Sequence, residues 1–389
     1  MRVLVCFLTG HGVPNLLSVH LYKPDRLVLA MTTDMAGRLE PFREALRRGG
    51  LDALAGAGEQ VDLGVSQNSA NVTRDKLRAL WEAERGAEWI VNLNGGTKPM
   101  GVGAYQAFAD TNAALVYIDA GAPEVLVDLC TDQVIPWPDG EPYRLTVPEF
   151  VAAYDPCFIP PSGTAWSETS WWADKWEVAR TIALRCPTWN LLPSGGGGAD
   201  GPPSCEAQEA FCRDPELAEY VACEIELRFS AGKLMQIPRG KKKQFVESVW
   251  LEAFVAGLLH RHRLALEIGD VHMRTPQAGV QDEMDVLFVR RNALWVIECK
   301  TGGATSGAHH GFLGKLYNRS RRLGALLNQT RLVTTSDKVL EDGSLNRELA
   351  ARADADRSRI LTHHDIRSLA ENAGDADCVR TTLLERPAP

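Results

Sequence analysis

Apolar positions in residues 1–120 gather in short runs at 2–8, 26–31, 89–93 and 115–118, separated by helical stretches such as 41–49 and 73–85. Strands alternating with helices predict a parallel α/β sheet, with the loops at the carboxyl ends of the strands forming a ligand crevice. Two of those loops stand out. The first run ends in Thr9-Gly10-His11-Gly12, followed by Pro14-Asn15; the run at 89–93 ends in Asn94-Gly95-Gly96-Thr97-Lys98. Residues 121–235 are patterned less clearly, with tryptophans at 137, 166, 171, 172, 176 and 189 and helical signals around 171–184 and 206–221. Between those helical signals lies a glycine run at 195–198, followed by Pro202-Pro203, which reads as a flexible loop.

A second α/β unit begins near residue 223. Segments 223–229 and 233–237 predict a hairpin, and the basic loop containing Arg239, Lys241, Lys242 and Lys243 leads into a helix over 244–262. A strand at 266–274, a hairpin of 283–290 with 293–300, a helix at 314–327 and a strand at 331–335 follow, before a mixed tail. The chain thus divides into 1–150, a linker or helical segment 151–222 with its flexible loop at 193–204, and 223–389.

Composition narrows the class. At 389 residues, 45% apolar and 24% charged, the chain has room for two cores of ordinary globular make-up. Its net charge of -8 argues against indiscriminate coating of nucleic acid, while leaving room for a local basic groove. The nine cysteines form no CxxC pair, so a disulfide framework and a zinc ribbon are both disfavoured, and reduced thiols in a cytoplasm fit better. The opening MRVLVCFLTG reads as a first strand rather than a signal peptide. No apolar stretch reaches the ~18 residues of a membrane span.

The chemistry concentrates at 282–300. If the second hairpin turns through Arg291-Asn292, Arg290 faces Ala293, and the same register sets Asp285 opposite Glu298. Cβ atoms of facing residues lie ~4.5–5.5 Å apart. Lys300 shares that face and Cys299 points away. Two buried carboxylates face to face need compensation, which a divalent cation supplies; hard oxygen donors suit Mg²⁺ or Mn²⁺. Lys300 can then orient an attacking water and stabilise charge on pentacovalent phosphorus. Glu283 lies on the same face as a salt-bridge partner or outer group. On the preceding helix, Glu252 and Glu247 both lie among apolar neighbours, and spacing alone does not choose between them. His260, His262, His309 and His310 read as loop histidines beside a nucleic-acid groove. The basic residues at 239–243, with Lys315, Arg319, Arg321 and Arg322, flank the site as phosphate contacts.

Asp285, Glu298 and Lys300, spaced Asp-x12-Glu-x-Lys, resemble the core of the PD-(D/E)xK nucleases, in which a helix glutamate commonly completes the site. The context Trp250-Leu251-Glu252 assigns that role to Glu252. The loop Asn94–Met100, NGGTKPM, can cradle a phosphate through backbone N–H groups. It lacks the spacing of a Walker A loop, and Thr9–Pro14 lacks the GxGxxG of a dinucleotide-binding dehydrogenase. It resembles the NxTGGTKxM-type signature of CARF domains, Rossmann-like sensors of cyclic oligoadenylates in type III CRISPR systems. It departs from that signature at Leu93-Asn94, where a threonine is expected. Val13 to Leu17 and Tyr22-Lys23-Pro24-Asp25 resemble the opening of CARF nucleases that end in a PD-(D/E)xK domain, as do the segments around Glu252 and Glu298-Cys299-Lys300-Thr301.

The resemblance implies a homodimer whose paired CARF domains bind cyclic tetra-adenylate, licensing metal-dependent cleavage of single-stranded RNA or DNA, or nicking of duplex DNA, in antiviral defence. A two-fold symmetric ring suits an isologous dimer. Ligand-site residues carried over are Thr9, Gly10, Asn15, Asn94, Gly95, Gly96, Thr97 and Lys98, with Thr32 placed by position. Competing readings are a restriction- or repair-type nuclease with no cyclic-nucleotide gate, and a sensing regulator with a degenerate nuclease domain. The presence of all three of Asp285, Glu298 and Lys300 disfavours the latter.

Overall fold

The computed structural model describes residues 1–57, 59–62, 68–119, 125–137, 144–154, 175–184, 248–265, 269–274, 281–302, 306–323 and 328–385. The glycine run, the 223–237 hairpin, the basic residues at 239–243 and Glu247 lie outside them, as does the side chain of Glu283.

The first unit is built on β1 (Arg2–Phe7), β2 (Arg26–Met31), β3 (Glu59–Asp62), β4 (Glu88–Asn92) and β5 (Ala114–Ile118), parallel in the order β3-β2-β1-β4-β5. Two short antiparallel strands, β6 (Leu126–Asp128) and β7 (Gln133–Ile135), extend the edge beyond β5. β1 is apolar from Val3 to Phe7 because it is covered on both faces: Val3, Val5 and Phe7 enter one core, Leu4 and Cys6 another. The chain winds outward from β1 to β3 and then returns to β4 on the other side of β1. The carboxyl ends of β1 and β4 therefore flank the crevice that such a reversal opens.

Helix α1 (Val13–Tyr22) follows β1 directly and carries Pro14 in its first turn. Proline is tolerated there because the N–H it lacks would have no partner. Helices α2 (Leu39–Arg48), α3 (Asp52–Ala57), α4 (Ala70–Ala83) and α5 (Lys98–Phe108) complete the cover. Past the edge strands, α6 (Val147–Ala152) opens with a reciprocal cap, in which Thr146 N–H donates to Glu149 Oε2 at 2.8 Å. The other oxygen of Glu149, wholly buried, meets His20 Nε2 of α1 at 2.7 Å. α6 is thereby tied to the first unit.

In the second unit, α7 (Trp176–Leu184) and α8 (Trp250–Arg261) pack together, Trp176 stacking on Phe254 at 5.5 Å. A five-stranded sheet follows. β8 (Gly269–Arg274), β9 (Gln281–Arg290) and β10 (Ala293–Lys300) are antiparallel, and β11 (Asn328–Thr334) pairs parallel with β10. A small hairpin of β12 (Leu340–Glu341) and β13 (Ser344–Leu345) precedes β14 (Ser358–Leu361), which joins the far side of β11. Trp295, Ile297 and Cys299 of β10 share a core with Trp250, Leu251 and Phe254 of α8. Leu294 and Val296 face the opposite way, sharing a core with Leu313 and Leu316 of α9 (Ser306–Arg322).

Helix α9 begins eight residues before the position its pattern suggests, through Gly307, Gly311 and Gly314. Glycine disfavours helix by ~1 kcal/mol per residue, a preference that burial of His309, Leu313 and Leu316 overrides here. The core on this face is continuous with that of the first unit, and includes Leu145 and Phe150 alongside Met284, Leu287 and Val296.

Candidate functional site

The hairpin of β9 and β10 pairs Ala293 with Arg290 and continues to Ile297 with Val286, the expected register. Arg291 and Asn292 form the turn, both left-handed (φ 49° and 52°), as a two-residue primed turn requires. One step further, a side chain takes over from the ladder: Asp285 Oδ2 accepts the Cys299 N–H at 2.7 Å. Lys300 Nζ lies 2.7 Å from Glu298 Oε1 and 3.2 Å from Asp285 Oδ2. Arg319, reaching in from α9, donates to Glu298 Oε2 at 2.7 Å. Both carboxylates are nearly buried, with side chains 10% (Asp285) and 7% (Glu298) exposed.

Electrostatics match this geometry. Burial, and then the charge of Glu298, push the Asp285 carboxyl up to about 6, against the pull of Lys300 and the Cys299 amide. Burial disfavours the Lys300 ammonium, yet Asp285 and Glu298 together hold it above the ordinary lysine range. Cys299 is inert by position, since burial and the carboxylates Asp285, Glu252 and Glu298 raise its thiol.

The other sequence-derived residues fall in varied places. Glu252 is half-buried on α8, near enough to Cys299 to act on its thiol, whereas Asp285, Glu298 and Lys300 occupy the opposite face of the hairpin. Arg319 corrects an expectation: it is turned inward onto Glu298, while Lys315 and Arg321 of the same helix are exposed. His309 is a second correction. It is a buried helix residue whose Nε2 bonds Thr334 Oγ1 at 2.8 Å, not a loop histidine. His262 lies just past α8 and bonds Ala373 O at 2.9 Å.

Two facing, nearly buried carboxylates, of which Asp285 is raised in pKa by burial and then by the charge of Glu298, are donors suited to a hard divalent cation. Among the described residues no group of three or more His, Cys, Asp or Glu side chains converges. Asp285 and Glu298 are the residues that would hold such a cation, with water and substrate oxygens completing its shell, the habit of Mg²⁺ in phosphate chemistry. The residues fit that role.

The first unit's crevice is shaped by the loops after β1 and β4. Asn15 is buried; its amide N–H donates to Phe7 O at 2.8 Å and its Oδ1 accepts from Asn92 Nδ2 at 2.9 Å. Asn94 is spent likewise, bonding both backbone groups of Ile118 at 2.5 and 2.6 Å. These two asparagines brace the loops. Gly95 must be glycine, because a Cβ there would lie 2.3 Å from Phe7 O. Gly96 adopts φ +76°, and Thr97 then caps α5, whose first residue is the exposed Lys98. Thr9 Oγ1 accepts the His11 N–H at 3.0 Å beside the open Gly10. Thr32, at the end of β2, is buried. The crevice thus collects a helix N-terminus, backbone donors and a cation, the makings of a phosphate site.

Residues 3–135 match the family model of the Card1 CARF domain, and residues 240–370 that of the Card1-like endonuclease domain. The chain is a CARF–endonuclease fusion. Its CARF domain contains the glycine crevice, and its endonuclease domain contains the carboxylate hairpin. Can2 from Sulfobacillus thermosulfidooxidans, solved in complex with cyclic tetra-adenylate, shares the fold along both chains: 19% identity, TM-score 0.64, covering 96% of this chain and 98% of that one. Protein VC1899 from Vibrio cholerae shares it at 15% identity and TM-score 0.67, covering 97% and 98%. A type III CRISPR defence DNA nuclease activated by cyclic oligoadenylate shares it at 19% identity and TM-score 0.53, over 91% of this chain but 51% of that larger one. At these identities the likeness is one of fold. None of the curated proteins matches the chain. Among the described residues, no helix is long and apolar enough to cross a membrane.

Proposed function

We propose that this CARF endonuclease is a metal-dependent nuclease that cleaves single-stranded RNA or DNA when cyclic tetra-adenylate occupies its CARF crevice, acting as a homodimer in type III CRISPR defence. The observation that carries the reading is the Lys300 amine held between two facing carboxylates. A divalent cation bound there supplies Lewis-acid stabilisation of phosphate charge. Asp285 and Glu298 would hold that cation. Lys300, relieved of Glu298, aligns the attacking water and meets the negative charge that builds on phosphorus. The Cys299 amide keeps Asp285 aimed across the strand end.

Cleavage of labelled oligonucleotides should fall to background in EDTA and return on addition of Mn²⁺ or Mg²⁺. Undiminished cleavage in the chelator would overturn metal dependence.

Three features support the sensor. The crevice lies where the strand order reverses, Lys98 stands at the start of α5, and Can2, of the same fold, was solved with cyclic tetra-adenylate. On α5, Val102 and Tyr105 form an exposed apolar strip one helical turn apart, suited to a second copy.

The segment around α6 offers the route between the domains. On the CARF side, Arg38 Nη1 donates to Tyr154 O at 3.0 Å, and the His11 ring, in the β1 loop, meets the Tyr154 ring at 6.4 Å. On the other side, Leu145 N–H donates to Asn292 Oδ1 at 3.0 Å, in the turn of the catalytic hairpin. Asn292→Gly keeps the left-handed turn but deletes that acceptor. Cleavage without activator should stay near wild type, while stimulation falls by roughly tenfold, within the usual range of coupling energies. Unchanged stimulation in the variant would remove this segment from the route.

A further inference from the structure

Arg319 is the least expected member of the carboxylate cluster. Helix α9 presents Lys315, Arg321 and Arg322 outward, whereas this guanidinium is buried with Nη1 2.7 Å from Glu298 Oε2. Glu298 therefore has a cation on each oxygen, Lys300 on Oε1 and Arg319 on Oε2. We infer that Arg319 is a positioning residue that keeps the Asp285–Glu298 pair weak for divalent cations until a nucleic-acid phosphate is in place. The inference rests on the metal-dependent reading above.

Two effects of opposite sign compete. By fixing Glu298, Arg319 pre-arranges a ligand, and losing such outer support typically weakens metal affinity by about 10- to 100-fold. Against this, the guanidinium is a permanent positive charge, since it does not deprotonate in proteins. A doubly charged ion held by Glu298 would lie a few ångströms from it, in a site shielded from bulk water. Coulomb repulsion at that separation exceeds the contribution of one charge-assisted hydrogen bond. Repulsion wins. A phosphodiester in the site brings negative charge that offsets both cations, so metal and substrate each raise the other's affinity. Lysine at 319 would keep the charge with a different geometry, which separates the two effects.

Isothermal titration of the full-length protein with Mn²⁺, without nucleic acid, tests this. Wild type should bind Mn²⁺ at least about tenfold more weakly than the concentration giving half-maximal cleavage suggests. Arg319→Gln should tighten Mn²⁺ binding at least about tenfold, and Arg319→Lys should stay near wild type. Equal or weaker binding by Arg319→Gln, with wild-type circular dichroism, overturns the proposal. Should that variant misfold, wild-type Mn²⁺ affinity equal to the cleavage midpoint overturns it on its own. Asp285→Asn separates the failures: Mn²⁺ heats that ignore this substitution refute the metal site itself, whereas heats that depend on Asp285 but not on residue 319 refute only the role of Arg319.

Discussion

Asp285→Asn is expected to lower cleavage by on the order of a thousandfold, because charge stabilisation by a metal contributes several kcal/mol to the transition state. The same change should stabilise the metal-free protein at pH 7. In the folded chain the Asp285 carboxyl is raised from 3.8 to about 6, chiefly by burial and then by Glu298. A group raised on folding favours the folded state below its unfolded value, and that contribution is lost as pH rises through the folded value. Wild type should therefore lose stability relative to Asp285→Asn between about pH 4 and pH 6. Asparagine retains an oxygen for the Cys299 N–H, and Lys300 retains Glu298. Thermal melts at pH 4 and pH 7 without metal, paired with a cleavage assay, check both halves. A variant that cleaves normally, or that melts lower at pH 7 only, contradicts the assignment.

Lys98→Ala should weaken activator binding by at least about a hundredfold, from a lost charge-assisted contact of ~1.5–3 kcal/mol in each of two subunits. Lys98 is exposed at the N-terminus of α5, just after Gly95 and Gly96 bring the loop against Phe7. Removing its ammonium leaves that backbone, and the braces from Asn15 and Asn94, in place. Titration with labelled cyclic tetra-adenylate reads the affinity directly. Wild-type affinity in the variant would place the ligand elsewhere.

The hairpin of β9 and β10 was legible because strand pairing has a period of two and a two-residue turn leaves one register. Parallel strands β1, β2, β4 and β5 announced themselves as apolar runs, being buried on both faces. Edge strand β3, Glu-Gln-Val-Asp, has no such run and was invisible. Pro14 reads as a turn residue, although it also suits a helix's first turn. Arg319 shows the limit of residue type. Its place three residues after buried Leu316 was the only hint that it turns inward. Asn15 and Asn94 teach the same lesson, since an asparagine that braces a loop and one that holds a ligand are spelled alike. Only the hydrogen bonds to Phe7 and Ile118 separate them.

The most direct measurement is the cleavage rate of labelled single-stranded RNA and DNA by the purified wild-type protein in Mn²⁺, titrated with cyclic tetra-adenylate. The rate should rise and saturate with the activator, well above the rate without it. A rate indifferent to cyclic tetra-adenylate at every concentration would leave a nuclease standing and contradict the gate.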